Sequence, residues 1–249
     1  QDIWIYDTAL GVRTRLTFDA ENVNEPVWSP NGKMLYFHRR NSAKGDTDIV
    51  RKPSNGTGSE ETVLADDATT PSGLSPDGRF LMYSSVDLKT GSDLWVQPLA
   101  SDSGKKLEPQ SFLQTPFNED RPRFSPDGKW VAYQSNESGN NQVYVVPFPG
   151  PGGKWQISSD GGVMPRWRKD GKEIFYLTPD GQLMATQLSV QNGALNVGQV
   201  EKLFDGVVTS RGYSYDVSAD GQKFLVVDAG ASSGQTLHLL QNWTAALRK

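Results

Sequence analysis

Apolar residues fall in short runs along this chain, a few positions each and bounded by Gly, Pro, Asp, Asn or Ser, which is the pattern of β-strands and not of helices. Met34-Leu35-Tyr36-Phe37 and Trp130-Val131-Ala132-Tyr133 are aromatic or branched runs of strand length, and each follows a Gly-containing turn. Ahead of three such turns stand Pro26-Val27-Trp28, Pro122-Arg123-Phe124 and Pro165-Arg166-Trp167. Two strands joined by a tight turn therefore open each unit. A third alternation follows at Asp48-Ile49-Val50, Asp93-Leu94-Trp95-Val96, Gln142-Val143-Tyr144-Val145 and Leu237-His238-Leu239-Leu240. A weaker fourth follows at Glu61-Thr62-Val63-Leu64, Lys154-Trp155-Gln156-Ile157 and Val200-Glu201-Lys202-Leu203-Phe204. Thr244-Ala245-Ala246-Leu247-Arg248 is the single helical candidate, a terminal turn too short to be stable alone.

The joining turn is itself a repeat. Ser75-Pro76-Asp77-Gly78-Arg79 has relatives at Ser29-Pro30-Asn31-Gly32-Lys33, Ser125-Pro126-Asp127-Gly128-Lys129, Arg168-Lys169-Asp170-Gly171-Lys172 and Ser218-Ala219-Asp220-Gly221-Gln222, with glycine spacings of 46, 50, 43 and 50. Pro presets φ at the first central position, Asp or Asn takes the second and Gly accepts φ > 0, which predicts a type I turn with a bulge in a three-residue hairpin loop. Four strands per ~45 residues is the blade of a β-propeller. A β-sandwich also has short strands at even spacing, but it does not require one turn to recur at a blade's period.

The expected fold is therefore all-β, a propeller of four-stranded antiparallel blades, about five plus a partial one. One continuous region covers 1–249, with the end of a partial blade at 1–20 and repeats near 21–66, 67–114, 115–158, 159–205 and 206–249. The ends carry a strand too many for a closed five-blade ring. Ile3 to Tyr6 and Leu237 to Leu240 both read as third strands, which predicts further blades or another domain upstream of residue 1.

Charge and composition narrow the function classes. A net charge of -4, with 25 basic and 29 acidic side chains interspersed, lacks the clustered basic face that nucleic acid requires. No apolar run approaches the ~20 residues of a membrane span, and the first 15 residues have no signal-peptide pattern. With no cysteine there are no disulfides, thiolate metal sites or cysteine nucleophile.

At this level of detail the chain resembles the TolB-type WD40-like propeller repeats. The stretches that carry the likeness are Asp2-Ile3-Trp4-Ile5-Tyr6-Asp7, Thr14-Arg15-Leu16-Thr17-Phe18-Asp19, Ser135-Asn136-Glu137-Ser138-Gly139, Pro147-Phe148-Pro149-Gly150, Pro165 to Gly171 and Asn242-Trp243-Thr244. The likeness is strongest to C-terminal propellers of large bacterial proteins, many described as serine/threonine protein kinases. It implies a non-catalytic ligand- or protein-binding module, the sensor or scaffold region of a larger bacterial signalling or envelope protein, on the periplasmic or extracytoplasmic side of a membrane segment. The alternative it implies is an accessory propeller of a prolyl-oligopeptidase-type serine peptidase or of a propeller lyase. A kinase's Gly-rich loop, His-Arg-Asp and Asp-Phe-Gly are absent from the sequence.

Candidate chemistry mostly resolves into architecture. Asp77, Asp127, Asp170 and Asp220 stand one per repeat, whereas a hard cation needs about six converging oxygens, so hydrogen bonds to their own turns account for them. His38 and His238 lie inside apolar strands with no partner that predicts a metal site. Gly73-Leu74-Ser75-Pro76-Asp77 and Gly212-Tyr213-Ser214-Tyr215-Asp216 lack the final Gly of a nucleophile elbow. A peptidase catalytic domain would have to follow Lys249, and Leu247-Arg248-Lys249 reads as a chain end. Gly230 to Thr236 lacks the lysine and helix of a phosphate loop. The tryptophans, at repeat-equivalent positions, are expected to pack between blades. No catalytic residue, metal or cofactor is expected.

What remains is a place, the mouth of the central channel, where the segments before each first strand should end. It implicates Asn24, Glu25, Asp120, Arg121, Arg211 and Tyr213, with Arg123 and Arg166 just inside the strands. Guanidinium groups there would receive an acidic peptide terminus or another anion from an unknown protein, peptide or small-molecule partner.

Overall fold

A computed structural model describes residues 2–18, 22–41, 46–65, 69–99, 107–150, 152–208, 212–228 and 236–241. The chain divides into two compact units, Gln1–Pro116 and Phe117–Lys249. Among the described residues every regular element is a strand.

In the first unit, β1 (Trp4–Asp7) and β2 (Val12–Arg15) form a two-stranded pair. Two antiparallel meanders follow: β3 (Val23–Trp28), β4 (Met34–Asn41), β5 (Asp46–Pro53), β6 (Glu61–Ala65), then β7 (Thr69–Leu74), β8 (Phe80–Asp87), β9 (Gly91–Pro98), β10 (Gln110–Leu113). The second unit holds β11 (Glu119–Phe124), β12 (Trp130–Ser135), β13 (Gln142–Pro147), β14 (Trp155–Gln156), then β15 (Val163–Trp167), β16 (Glu173–Leu177), β17 (Leu183–Gln191), β18 (Ala194–Phe204). A three-stranded sheet, β19 (Tyr215–Val217), β20 (Lys223–Asp228), β21 (Thr236–Gln241), completes it among the described residues. In every sheet spatial order follows chain order, the meander of a blade.

Alternation along the second and third strands buries both faces of each sheet. In the first unit Leu35, Phe37 and Val50 pack with Ile3 and Leu16, while Tyr36 and Ile49 pack with Leu81 and Tyr83 of the next blade. In the second unit Ala132, Val143 and Val145 meet Ile174 and Tyr176, and Phe175 meets Phe224. Within each unit, apolar side chains thus glue neighbouring sheets together. Of the tryptophans, Trp130 is buried as expected, but Trp4 and Trp28 are 52% and 48% exposed. β1 and β3 turn alternate residues outward, and these indoles lie on the outward set. Trp243, the helical candidate at 244–248 and the loop at 230–235 lie outside the described residues.

The recurring turn differs from its predicted form in one respect. Ser125 N–H donates to Trp130 C=O at 2.8 Å and Gly128 N–H donates to Ser125 C=O at 2.9 Å, so the loop has four residues and not three. The extra residue is accommodated because Ser125 Oγ, not its backbone carbonyl, accepts the Trp130 N–H at 2.9 Å. Ser125 Oγ in turn donates to Asp127 Oδ1 at 2.6 Å, and the same oxygen accepts the Lys129 N–H at 3.1 Å. Ser75-Asp77, Ser29-Asn31 and Ser218-Asp220 repeat the arrangement. These hydrogen bonds hold the Asp77 and Asp220 carboxyls below the usual carboxylate range. Where Arg168 replaces the serine, its guanidinium forks onto both oxygens of Asp170 at 2.8 Å and reaches Glu173 at 2.8 Å. Ser125→Ala leaves the buried Trp130 N–H without its acceptor, and should lower stability by about 1–3 kcal/mol in urea unfolding, against a few tenths for the more exposed Ser218→Ala.

One hairpin was not read from the sequence. β17 and β18 pair from Leu183↔Phe204 out to Gln191↔Ala194, closed by Asn192 (φ 51°) and Gly193 (φ 77°). Asn-Gly is the two-residue loop in which both central residues take positive φ, and it was legible there.

Candidate functional site

The first strands carry a common irregularity. Register shifts occur between Asn24 and Val27, Pro71 and Gly73, Asp120 and Arg123, and Val163 and Arg166. Glu25, Arg121 and Met164, at equivalent repeat positions, take φ of 51°, 53° and 56°. Pro71 stands at the fourth such position, where its ring holds φ near -65° and forbids that conformation. These are β-bulges, which re-aim side chains next to the extra residue. Asn24–Glu25 and Asp120–Arg121 therefore lie inside β3 and β11, not in loops ahead of them, because ladder hydrogen bonding continues on both sides of each bulge.

In the first unit, Asn24 Oδ1 lies 2.9 Å from His38 Nδ1, and burial lowers the pKa of that half-buried imidazole. In the second unit four of the sequence-selected residues come together. The guanidinium carbons of Arg121, Arg123 and Arg166 lie 5.0, 4.7 and 4.6 Å from the centroid of the Tyr213 ring. Asp120 Oδ1 accepts the Arg121 N–H at 2.7 Å, which braces the bulge. Arg211 lies outside the described residues.

Local structure holds the cluster rigidly. Arg166, 9% exposed, donates to Pro165 C=O at 3.3 Å, and Arg123 donates to Pro122 C=O at 3.2 Å. Trp167 Nε1 donates to Arg123 C=O at 3.1 Å, linking β15 to β11. Tyr215, buried, donates its hydroxyl to Met164 C=O at 2.8 Å, and its ring centroid is 5.9 Å from Arg166. Burial pushes the Tyr215 phenol up, so it stays a neutral donor. Asp216 Oδ1 lies 3.3 Å from Arg166 Nε, on a side chain 71% exposed. Burial and the adjacent Arg166 charge pull the Arg123 pKa below its usual value, partly offset by Tyr213 and Asp216.

Tyr215 and Asp216 escaped the sequence reading. The signal was the repeat register: Asp216 occupies the position of Arg123 and Arg166 two residues before the turn, and Tyr215 that of Pro122 and Pro165. Among the described residues there is no grouping of three or more His, Asp or Glu side chains placed to hold a metal ion. No helix among them is long and apolar enough to cross a membrane.

No protein-family model matches the chain. It is 25% identical over 214 residues to an uncharacterized protein of Agrobacterium fabrum, covering 82% of this chain and 69% of that one. It is 27% identical over 165 residues to an uncharacterized peptidase of Bacillus subtilis, covering 54% of this chain and 25% of that one. Among solved structures, TolB from Acinetobacter baumannii superposes with a TM-score of 0.70 at 19% identity, over 96% of this chain and 56% of that one. A TolB-like protein of Agrobacterium tumefaciens gives 0.64 at 22% identity, over 78% and 70%. A puromycin-hydrolyzing peptidase of Mycobacterium tuberculosis gives 0.60 at 16% identity, over 97% and 40%. The chain has the TolB-type β-propeller fold, built of four-stranded antiparallel blades, and it spans little more than half of the Acinetobacter TolB chain.

Proposed function

We propose that this chain is a non-catalytic binding module that takes an anionic group, foremost a peptide carboxylate, on the arginine cluster around Tyr213. The observation that carries the reading is the convergence of three guanidinium groups on one aromatic ring, with Asp216 meeting Arg166 from a solvent-exposed position. A carboxylate entering there pairs bidentately with a guanidinium and relieves the repulsion between Arg123 and Arg166. The Tyr213 ring at the centre of the cluster favours a terminus carried on a side chain able to pack. On this reading the protein is the extracytoplasmic sensor or scaffold part of a larger bacterial signalling or envelope protein.

The test is a library of short peptides with free C-terminal carboxylates, each paired with its amide, titrated by fluorescence anisotropy. Free acids should bind and amides should bind more weakly. Arg123→Ala with Arg166→Ala should reduce affinity by about tenfold or more while the far-ultraviolet spectrum is retained, about 1.4 kcal/mol for each factor of ten. Equal binding of acids and amides, or unchanged affinity in the double variant, would remove the proposal.

A second reading is an accessory propeller of a peptidase, favoured by the identity with the Bacillus peptidase. The reading frame that encodes this chain separates the two. A hydrolase domain in the same frame supports the second, and a membrane span with a kinase domain supports the first.

A further inference from the structure

The hairpin of β17 and β18 outgrows its own blade. β16 pairs only Glu173↔Gln187 through Leu177↔Leu183, whereas β17 and β18 stay paired out to Gln191↔Ala194. Residues 188–191 therefore form a ribbon whose inner edge has no continuing β16 strand beside it. Leu188 N–H still reaches back to Lys172 C=O at 2.7 Å, so its backbone faces the β16 side. Alternation along an antiparallel strand then turns the N–H and C=O of Val190 to that same side, away from β18.

Beneath the ribbon lies a groove of about 550 Å³ between the turns Ser125 to Lys129 and Arg168 to Lys172. Its apolar side is Trp130, Trp167, Leu188 and Leu195, with the half-exposed Val190 at the lip. Lys169 and Lys172 stand exposed on its rim, and neither is in an ion pair among the described residues. Two carboxylates also line it. Asp170 is engaged by the Arg168 fork and Asp127 by hydrogen bonds within its own turn, so both carboxylates are held by their own turns while the two lysine ammonium groups project from the rim.

We propose that this groove takes an extended acidic peptide from a partner protein, which adds as a short strand beside β17 in the line that β16 vacates. Val190 supplies the main-chain donor and acceptor, an aliphatic or aromatic side chain of the peptide seats against Trp130 and Trp167, and its flanking carboxylates meet Lys169 and Lys172. Strand addition of this kind draws affinity from main-chain hydrogen bonds and specificity from pockets for alternate side chains. The free backbone edge selects a peptide over a sugar.

The probe is fluorescein-labelled Asp-Glu-Val-Leu-Val-Glu-Asp, amidated so that no C-terminal carboxylate engages the arginine cluster. The intact chain should bind it, and Lys169→Glu with Lys172→Glu should weaken binding by about tenfold or more. Val190→Pro removes one donor on an edge that β18 does not use, a position where proline is compatible with a strand, and should weaken binding by a similar factor while the circular dichroism spectrum is kept. Arg123→Ala with Arg166→Ala should leave this affinity unchanged, which separates the groove from the cluster. Unaltered affinity in Val190→Pro, no binding up to about 1 mM, or displacement of the peptide by an acidic oligosaccharide would each overturn the assignment.

Discussion

Replacing Phe175 by alanine should lower the unfolding free energy by about 3–5 kcal/mol, the largest single loss expected of any side chain in the second unit. Phe175 is 1% exposed in β16, and its ring meets Phe224 of the next blade edge-to-face, with centroids 5.1 Å apart at 84°. Phe224 contacts Phe204 in the same way at 5.6 Å and 72°. Truncation therefore removes buried area, empties a void between two sheets, and breaks a ring pair of the kind that adds about 0.5–1.5 kcal/mol beyond burial. The sheets on either side are held by their own ladders and cannot collapse into the space. Urea unfolding followed by tryptophan fluorescence should show a lower midpoint with an unchanged slope. Leu88→Ala, at a fully exposed position, should change stability by no more than about 0.5 kcal/mol. If Phe175→Ala costs less than about 1 kcal/mol, the packing of the two blades is not what the ring geometry says it is.

Gly181→Ala should cost about 3 kcal/mol, far more than the same change at Gly193. Both glycines take positive φ, 81° and 77°, and alanine there loses about 1–2 kcal/mol for conformation alone. Their surroundings differ. A methyl on Gly193 meets nothing within 4 Å, whereas one on Gly181 collides with the carbonyl oxygen of Val207. That carbonyl belongs to a buried residue whose own N–H donates to Gly181 C=O at 3.1 Å, so neither backbone can retreat without breaking the bond. Thermal melts of the two variants should separate by several degrees. Equal melting temperatures would mean that the 207 segment moves freely.

The Gly181 case also shows where sequence reading stopped. Thr178-Pro179-Asp180-Gly181-Gln182 has the composition of the recurring turn, and Gly181 N–H donates to Thr178 C=O as in the others, yet Thr178 N–H donates to Gln182 C=O, four residues on and not five, and the turn joins β16 to β17 and not a first strand to a second. It lies outside the blade period, and its use in a different hairpin depends on which strands are neighbours. The bulges at Glu25, Arg121 and Met164 were hidden for a related reason. Nothing in a non-glycine residue before or near a proline announces φ > 0 in mid-strand, and Pro71 at the same repeat position shows that the bulge does not even need it. Repeat-equivalent strand positions predict Trp4 and Trp28 between blades, yet both are exposed, because the period marks a strand without fixing which of its faces a residue takes.

Sequence alone determined the repeated hairpin, the four-strand blade and the serine-aspartate turn, because each rests on contacts within a few residues and on a period that local chemistry repeats. It also picked out Arg121, Arg123, Arg166 and Tyr213 singly, as residues near first-strand ends. Only the tertiary structure decided that the three guanidinium groups share one ring, that Asp216 joins them, and that the β17–β18 ribbon overhangs a groove. Those relations join residues of different blades, and stacking of sheets, which no local pattern encodes, is what brings them within reach.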